Sequence, residues 1–360
     1  MARFCRLLLF LLLPLSAVSQ QNPPSPELQP RPAEPAKVPA SGTDREIMLD
    51  VQVTDKSGAP VRGLQKEDFT ILDDKLPLNV VSFRAVDRAS ADPPVEIILV
   101  VDAVNTSFRY VSYERTELKK FLLQNGGKLA QPTSLIFFTD REAKMQRAAS
   151  RDGNALAALY DEYETGVRSI TRSQGFYGAA ERFEMSLHTL SSMMEYEKTR
   201  PGRKLLVWFS PGWPLLTGPF IQLSKKDEER LFQSIVGVST GLREADITLY
   251  SIDPLGMADA GGLRISYYQE FLKGVPSANR TQAGDLGLQV LATQSGGRVL
   301  NSSNDLAQEI ADCARDADAF YVLSFNSVRP DHANEYHEIE VRVDKPGAKV
   351  RTRTGYYAQP

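Results

Sequence analysis

The run Val95-Glu96-Ile97-Ile98-Leu99-Val100-Val101 most constrains how this chain can fold, because six of its seven residues are apolar and most are β-branched. A strand with one wet face alternates apolar and polar residues. A strand covered on both faces by helices has no such freedom and reads as a continuous apolar run. The sequence therefore predicts a central strand of a mostly parallel, doubly wound α/β sheet. It stops at Asp102, and Asn105, Thr106 and Ser107 follow at once. Carboxylate, amide and hydroxyl groups thus gather past the carboxyl end of a central strand, where open α/β sheets bind their ligands.

The same pattern continues downstream. Apolar runs at Ser134–Thr139, Leu205–Phe209 and Ile247–Ile252 alternate with helical patterns near Tyr110–Gln124, Asn154–Tyr163, Gly178–Glu197, Lys225–Ala245, Leu286–Ser295 and Asn304–Asp318. This is the order of a doubly wound fold. Lys144–Ala149 reads as a short edge strand, and the glycine-rich stretch 253–284 as a long irregular insertion.

Both flanks read differently. Ile47, Leu49, Val51 and Val53 alternate with polar residues, and short strands recur to Phe83; alternation returns in Phe320–Phe325, Glu338–Val343 and Lys349–Tyr357. Neither flank alone is long enough to bury a core. The expectation is one β-sandwich built from 44–90 and 319–358, with an α/β unit over 91–318 inserted between them.

Residues 1–19 read as a secretory signal peptide: Arg3 and Arg6, the apolar run Leu7–Leu15, then Ala17-Val18-Ser19. Residues 20–43 read as a linker, with prolines at 23, 24, 26, 30, 32, 35 and 39. No other segment approaches the roughly 20 apolar residues of a membrane span. The expectation is a mature chain without a transmembrane segment, in the periplasm or outside the cell. Cys5 leaves with the signal, so Cys313 stands alone and no internal disulfide forms. A net charge of −3 gives no basic footprint for nucleic acid.

Asp102 and Thr106 resemble the first and last positions of the Asp-x-Ser-x-Ser metal-ion-dependent adhesion site of von Willebrand factor type A (VWA) domains. The segments Asp50–Gly58 with Leu64 and Asp68-Phe69, Ser210-Pro211-Gly212, Gly296-Gly297-Arg298 before Asn304-Asp305-Leu306, and Val350–Tyr357 resemble the bacterial, acidobacterial-type VWA-related family. The resemblance implies a Rossmann-like VWA fold and an interaction function. It also implies that Asp102, Thr106 and a loop hydroxyl, Ser173 in the Thr171–Gly178 stretch, stand where Mg²⁺ or Mn²⁺ ligands would be. Val104 replaces the first serine and Pro211 a later aspartate, and neither brings a side-chain oxygen to a hard cation. The site is degenerate, and the expectation is no certain cofactor, with Mg²⁺ or Mn²⁺ the ion it could take.

Enzymatic readings are weaker. Ser210 follows a buried run as a hydrolase nucleophile would, but Trp208 stands where the Gly-x-Ser-x-Gly turn needs a small residue. His332, Glu335 and His337 match no zinc-helix spacing and read as surface residues of a polar loop, while His188, between Leu187 and Leu190, reads as structural. What remains is a secreted, non-enzymatic adhesion-type module for a protein or other extracellular ligand. Its expected contact surface is Asn105, Phe108, Tyr110, Phe176, Tyr177, Trp213 and Phe220, since partner surfaces favour aromatic residues. The alternatives are a Mg²⁺- or Mn²⁺-dependent VWA adhesin and a secreted hydrolase using Ser210.

Overall fold

The computed structural model describes residues 46–146, 148–164, 175–214, 223–256 and 267–359. The signal and linker expected over 1–43, together with Ser173 and Phe220, lie outside them, as do the side chains of Phe108 and Phe176.

In chain order the strands and helices are β1 (Glu46–Thr54), β2 (Phe69–Asp73), β3 (Leu76–Leu78), β4 (Ser82–Asp87), β5 (Glu96–Asp102), α1 (Phe108–Leu122), β6 (Lys128–Phe138), β7 (Ala143–Met145), β8 (Ser150–Asp152), α2 (Gly153–Glu164), α3 (Gly175–Lys198), β9 (Lys204–Phe209), α4 (Lys225–Glu244), β10 (Ile247–Ile252), α5 (Leu288–Gln294), β11 (Val299–Leu300), α6 (Leu306–Ala314), β12 (Ala319–Asn326), β13 (Glu335–Val343), β14 (Lys349–Arg351) and β15 (Gly355–Ala358). The central sheet runs β11-β10-β9-β5-β6-β7, with β8 also on β6; it is parallel except where β7 and β8 return antiparallel. Two short strands, β7 and β8, thus stand where one edge strand over Lys144–Ala149 was expected.

Every residue of β5 is buried. Its side chains split by parity: Ile97, Leu99 and Val101 join the core beneath α1, α2 and α6, whereas Ile98 and Val100 join the core beneath α3, α4 and α5. Two cores on one strand leave no position for a solvated residue, the physical reason for the unbroken apolar run. Local chemistry sets the helix ends. Ser224 accepts from the Asp227 amide to cap α4, whose first turn carries Asp227 and Glu228 against the positive end of the helix dipole. Asp305 caps α6 in the same way through the Gln308 amide.

The flanks form two further sheets, β14-β1-β12-β4 and β15-β13-β2-β3. Each mixes strands from both ends of the chain: β1 pairs antiparallel with β12, and β2 with β13. Between them lies a third core containing Leu49, Val51, Ile71, Leu323, Phe325, Ile339, Val341 and Tyr356. His337 belongs to this inward row. It sits two positions before Ile339 on β13 and is buried, not on a surface loop. His188, by contrast, is exposed on α3, since its neighbours Leu187 and Leu190 point elsewhere on the helix. No helix among the described residues is long and apolar enough to cross a membrane.

Candidate functional site at the carboxyl end of the central strand

The turn after β5 is built by Asp102 itself. Its Oδ1 accepts hydrogen bonds from the backbone amides of Val104 and Asn105, both at 2.8 Å, closing an Asx turn. Its Oδ2 accepts from Asn105 Nδ2 at 2.8 Å and from the indole Nε1 of Trp208 at 2.9 Å. Trp208 reaches it because β9 lies beside β5, with Val100 and Trp208 as register partners. The Asn105 amide also donates to Ser186 Oγ at 2.9 Å, and that hydroxyl donates to the Arg182 carbonyl at 2.8 Å, so α3 is clamped over the turn.

Asp102 is fully buried. Burial pushes its carboxyl above the usual carboxylate range, while hydrogen bonds from Asn105, Trp208 and the backbone pull it back. The four directions in which a carboxylate accepts each meet an N–H. A hard cation needs six or more oxygen ligands. Here Asp102 would first have to surrender donors, Val104 is apolar and buried, and the unpartnered oxygens beside it, Asn105 Oδ1 and Thr106 Oγ1, are neutral. Among the described residues this donor set does not supply the oxygens that Mg²⁺ or Mn²⁺ takes.

The expected contact residues separate. Tyr177 is 84% exposed, and Asn105 and Tyr110 are partly exposed. Trp213 is not a surface residue: it is 2% exposed and meets Trp208 edge to face at 5.2 Å. The chain reverses at Gly212, whose φ of +104° suits glycine, and this folds the indole back beneath β9. Ser210 is buried, and its Oγ accepts from the Gly212 amide at 3.2 Å. A nucleophile needs a base within about 3.2 Å. None of the three histidines supplies one: His188 lies exposed on α3, His332 is exposed between β12 and β13, and His337 is inside the sandwich.

Sequence reasoning missed Glu114. It lies on α1, fully buried, and neither carboxyl oxygen has a hydrogen-bond partner. Burial, and then the Asp102 charge, push its carboxyl well above the usual range. Because the folded state keeps a proton that the unfolded chain has released, stability should fall as pH rises above the ordinary glutamate value of about 4.5. Replacing Glu114 with Met should raise stability by about 1–3 kcal/mol, the cost of an unmet buried polar group, and flatten the slope between pH 5 and 8. Urea unfolding at the two pH values checks both; a variant less stable than the parent at pH 8 would refute the assignment.

No protein-family model matches the chain, and no curated protein sequence does. Among solved structures it aligns with the manganese-loaded TRAP protein of Plasmodium vivax at 10% identity and a TM-score of 0.35, over 76% of this chain and 97% of that one. The pilus adhesin SpaC of Lactobacillus rhamnosus GG aligns at 11% identity and a TM-score of 0.37, over 83% of this chain but 48% of the adhesin. The SpRpn10 VWA domain aligns at 11% identity and a TM-score of 0.28, over 61% of this chain and 93% of that domain. Human Sec24c is covered over 43% of its length.

Proposed function

We propose that the chain is an exported, non-enzymatic binding module for a protein partner, built on a VWA-like domain whose metal-ion-dependent adhesion site is degenerate, and that its binding needs no cation. The observation that carries this reading is Asp102, whose carboxylate is committed on every side to protein N–H groups. Ser210 is buried and its Oγ accepts from the Gly212 amide, which supports a non-enzymatic role. The contact surface is the set of loops beyond the carboxyl ends of β5 and β9, with Tyr177 at its rim. Tyr177 lies nine residues before Ser186 on α3, which at 1.5 Å per residue carries it about 14 Å beyond the Asp102 turn. Export rests on the leader-like residues 1–19.

Capture of extracellular and envelope proteins on the chain from residue 20 onward, in Mg²⁺ and in EDTA, tests this. The same partner should be recovered in both, and Tyr177→Ala should weaken its binding by about 2 kcal/mol, as loss of an interface anchor does. Recovery only in Mg²⁺, abolished by Asp102→Ala, would replace this reading with the cation-dependent adhesin.

A further inference from the structure

In the sandwich, outside the Asp102 turn, two consecutive carboxylates face one imidazole nitrogen. His337 Nδ1 lies 2.8 Å from Asp73 Oδ1 and 3.3 Å from Asp74 Oδ2, and the three ligand atoms all fall within 4.8 Å of one another. We propose that Asp73, Asp74 and His337 form a binding site for a divalent transition-metal ion of the Zn²⁺ class, which joins the β2–β3 turn to β13.

Charge and geometry argue for it together. Nδ1 carries at most one proton and can donate it to one oxygen, yet a second anionic oxygen stands at nearly the same range. Among the described residues no lysine or arginine pairs with either carboxylate, so a neutral imidazole leaves two negative charges side by side. A divalent ion balances them. Zn²⁺ takes nitrogen and carboxylate oxygen ligands at about 2.0–2.2 Å in a tetrahedron, which sets its ligand atoms about 3.3–3.5 Å apart. The Nδ1 to Asp74 separation already matches; the Nδ1 to Asp73 separation needs to open by about half an ångström.

The ligands are held from outside. The Tyr356 hydroxyl donates to Asp73 Oδ2 at 2.8 Å, and its ring stacks on His337 at 5.1 Å and 15°. The Glu338 amide donates to Asp74 Oδ1 at 3.0 Å. Asp74 and Lys75 both have positive φ, 47° and 71°, a tight hairpin that aims the Asp74 carboxylate back at β13. Side-chain exposures are 8% for His337, 1% for Asp73 and 53% for Asp74, so two ligands are fixed in the core and the third faces solvent, where a water completes the shell.

The test titrates ZnCl₂ into the chain from residue 20 onward, with MgCl₂ alongside, and reads stoichiometry by calorimetry and the shift in melting temperature. One Zn²⁺ per chain and a raised melting temperature are expected, with no effect of Mg²⁺. Asp74→Asn keeps the turn, because asparagine tolerates positive φ, and should weaken Zn²⁺ at least tenfold; His337→Gln should do the same. Co²⁺ substitution should give the visible absorption of a tetrahedral ion, absent in both variants. No Zn²⁺ binding, or binding that neither variant weakens, overturns the proposal. The Asp102 turn takes no part, so a failure here leaves the reading of that site untouched.

Discussion

Replacing Arg203 with methionine should cost the fold about 3–5 kcal/mol, the usual penalty for removing one partner of a buried ionic network. Arg203 is buried where the central sheet meets the sandwich. Its Nε pairs with Asp50 of β1 at 2.7 Å, one terminal nitrogen donates to the Asp316 carbonyl at 3.2 Å, and its guanidinium lies 4.4 Å over the Phe320 ring of β12. Tyr250 of β10 donates to the Asp316 carboxylate at 2.7 Å, Arg351 of β14 pairs with it, and the Gln52 amide of β1 donates to the Asp316 carbonyl. One cation therefore bridges groups from both units. Without it Asp50 and the half-buried Asp246 face each other with Lys204 and Arg353 as the nearby cations.

Asp246 makes this junction sensitive to pH. Burial and then the Asp50 charge raise its carboxyl to about 7, against the pull of Arg203 and Lys204. The folded state holds this proton where the unfolded chain has lost it, so the stability it contributes is present at acid pH and is lost as pH rises through about 7. Asp246→Asn, which tolerates the residue's φ of +54°, should flatten that decline, and Arg203→Met should steepen it. Urea denaturation between pH 5 and 8 reads both effects. An Arg203→Met protein within 1 kcal/mol of the parent, on the order of a surface change, would show that the junction is held by apolar packing.

The second large effect is expected at Asp102. Asp102→Asn should destabilise by about 3 kcal/mol, because a charge-assisted acceptor is lost and an amide N–H₂ is set against the donors of Asn105 and Trp208. Trp208→Phe keeps most of the packing and removes one donor, for about 1.5–3 kcal/mol. Since the two act through one hydrogen bond of 2.9 Å, their double variant should lose less than the sum. The losses should be equal in EDTA and in 5 mM Mg²⁺. Strict additivity would show that the indole and the carboxylate do not share that bond.

How much of this was legible in the chain follows from range. The run from Val95 to Val101 and the periodicity of the helices are local signals, and each specified its element, because backbone propensity and the count of buried faces act within a few residues; the caps at Ser224 and Asp305 came from the structure, the latter one residue past the Asn304 at which the helical pattern begins. The carboxyl-end location of Asp102, Asn105 and Thr106 was equally local, one turn after one strand. Tertiary structure alone decided that Trp208 closes Oδ2, since that contact needs β9 laid beside β5 in a register that places an indole opposite Val100. It alone decided that Trp213 turns inward, and that Glu114 on α1 is sealed from water without a partner. The burial of His337 was readable from its alternation with Ile339 and Val341, but its partners Asp73 and Asp74 lie more than 260 residues away along the chain. Hydrophobic pattern records which face of an element is covered, whereas the identity of a polar partner depends on which distant strand comes to lie alongside, and that is set only when the sheets pair.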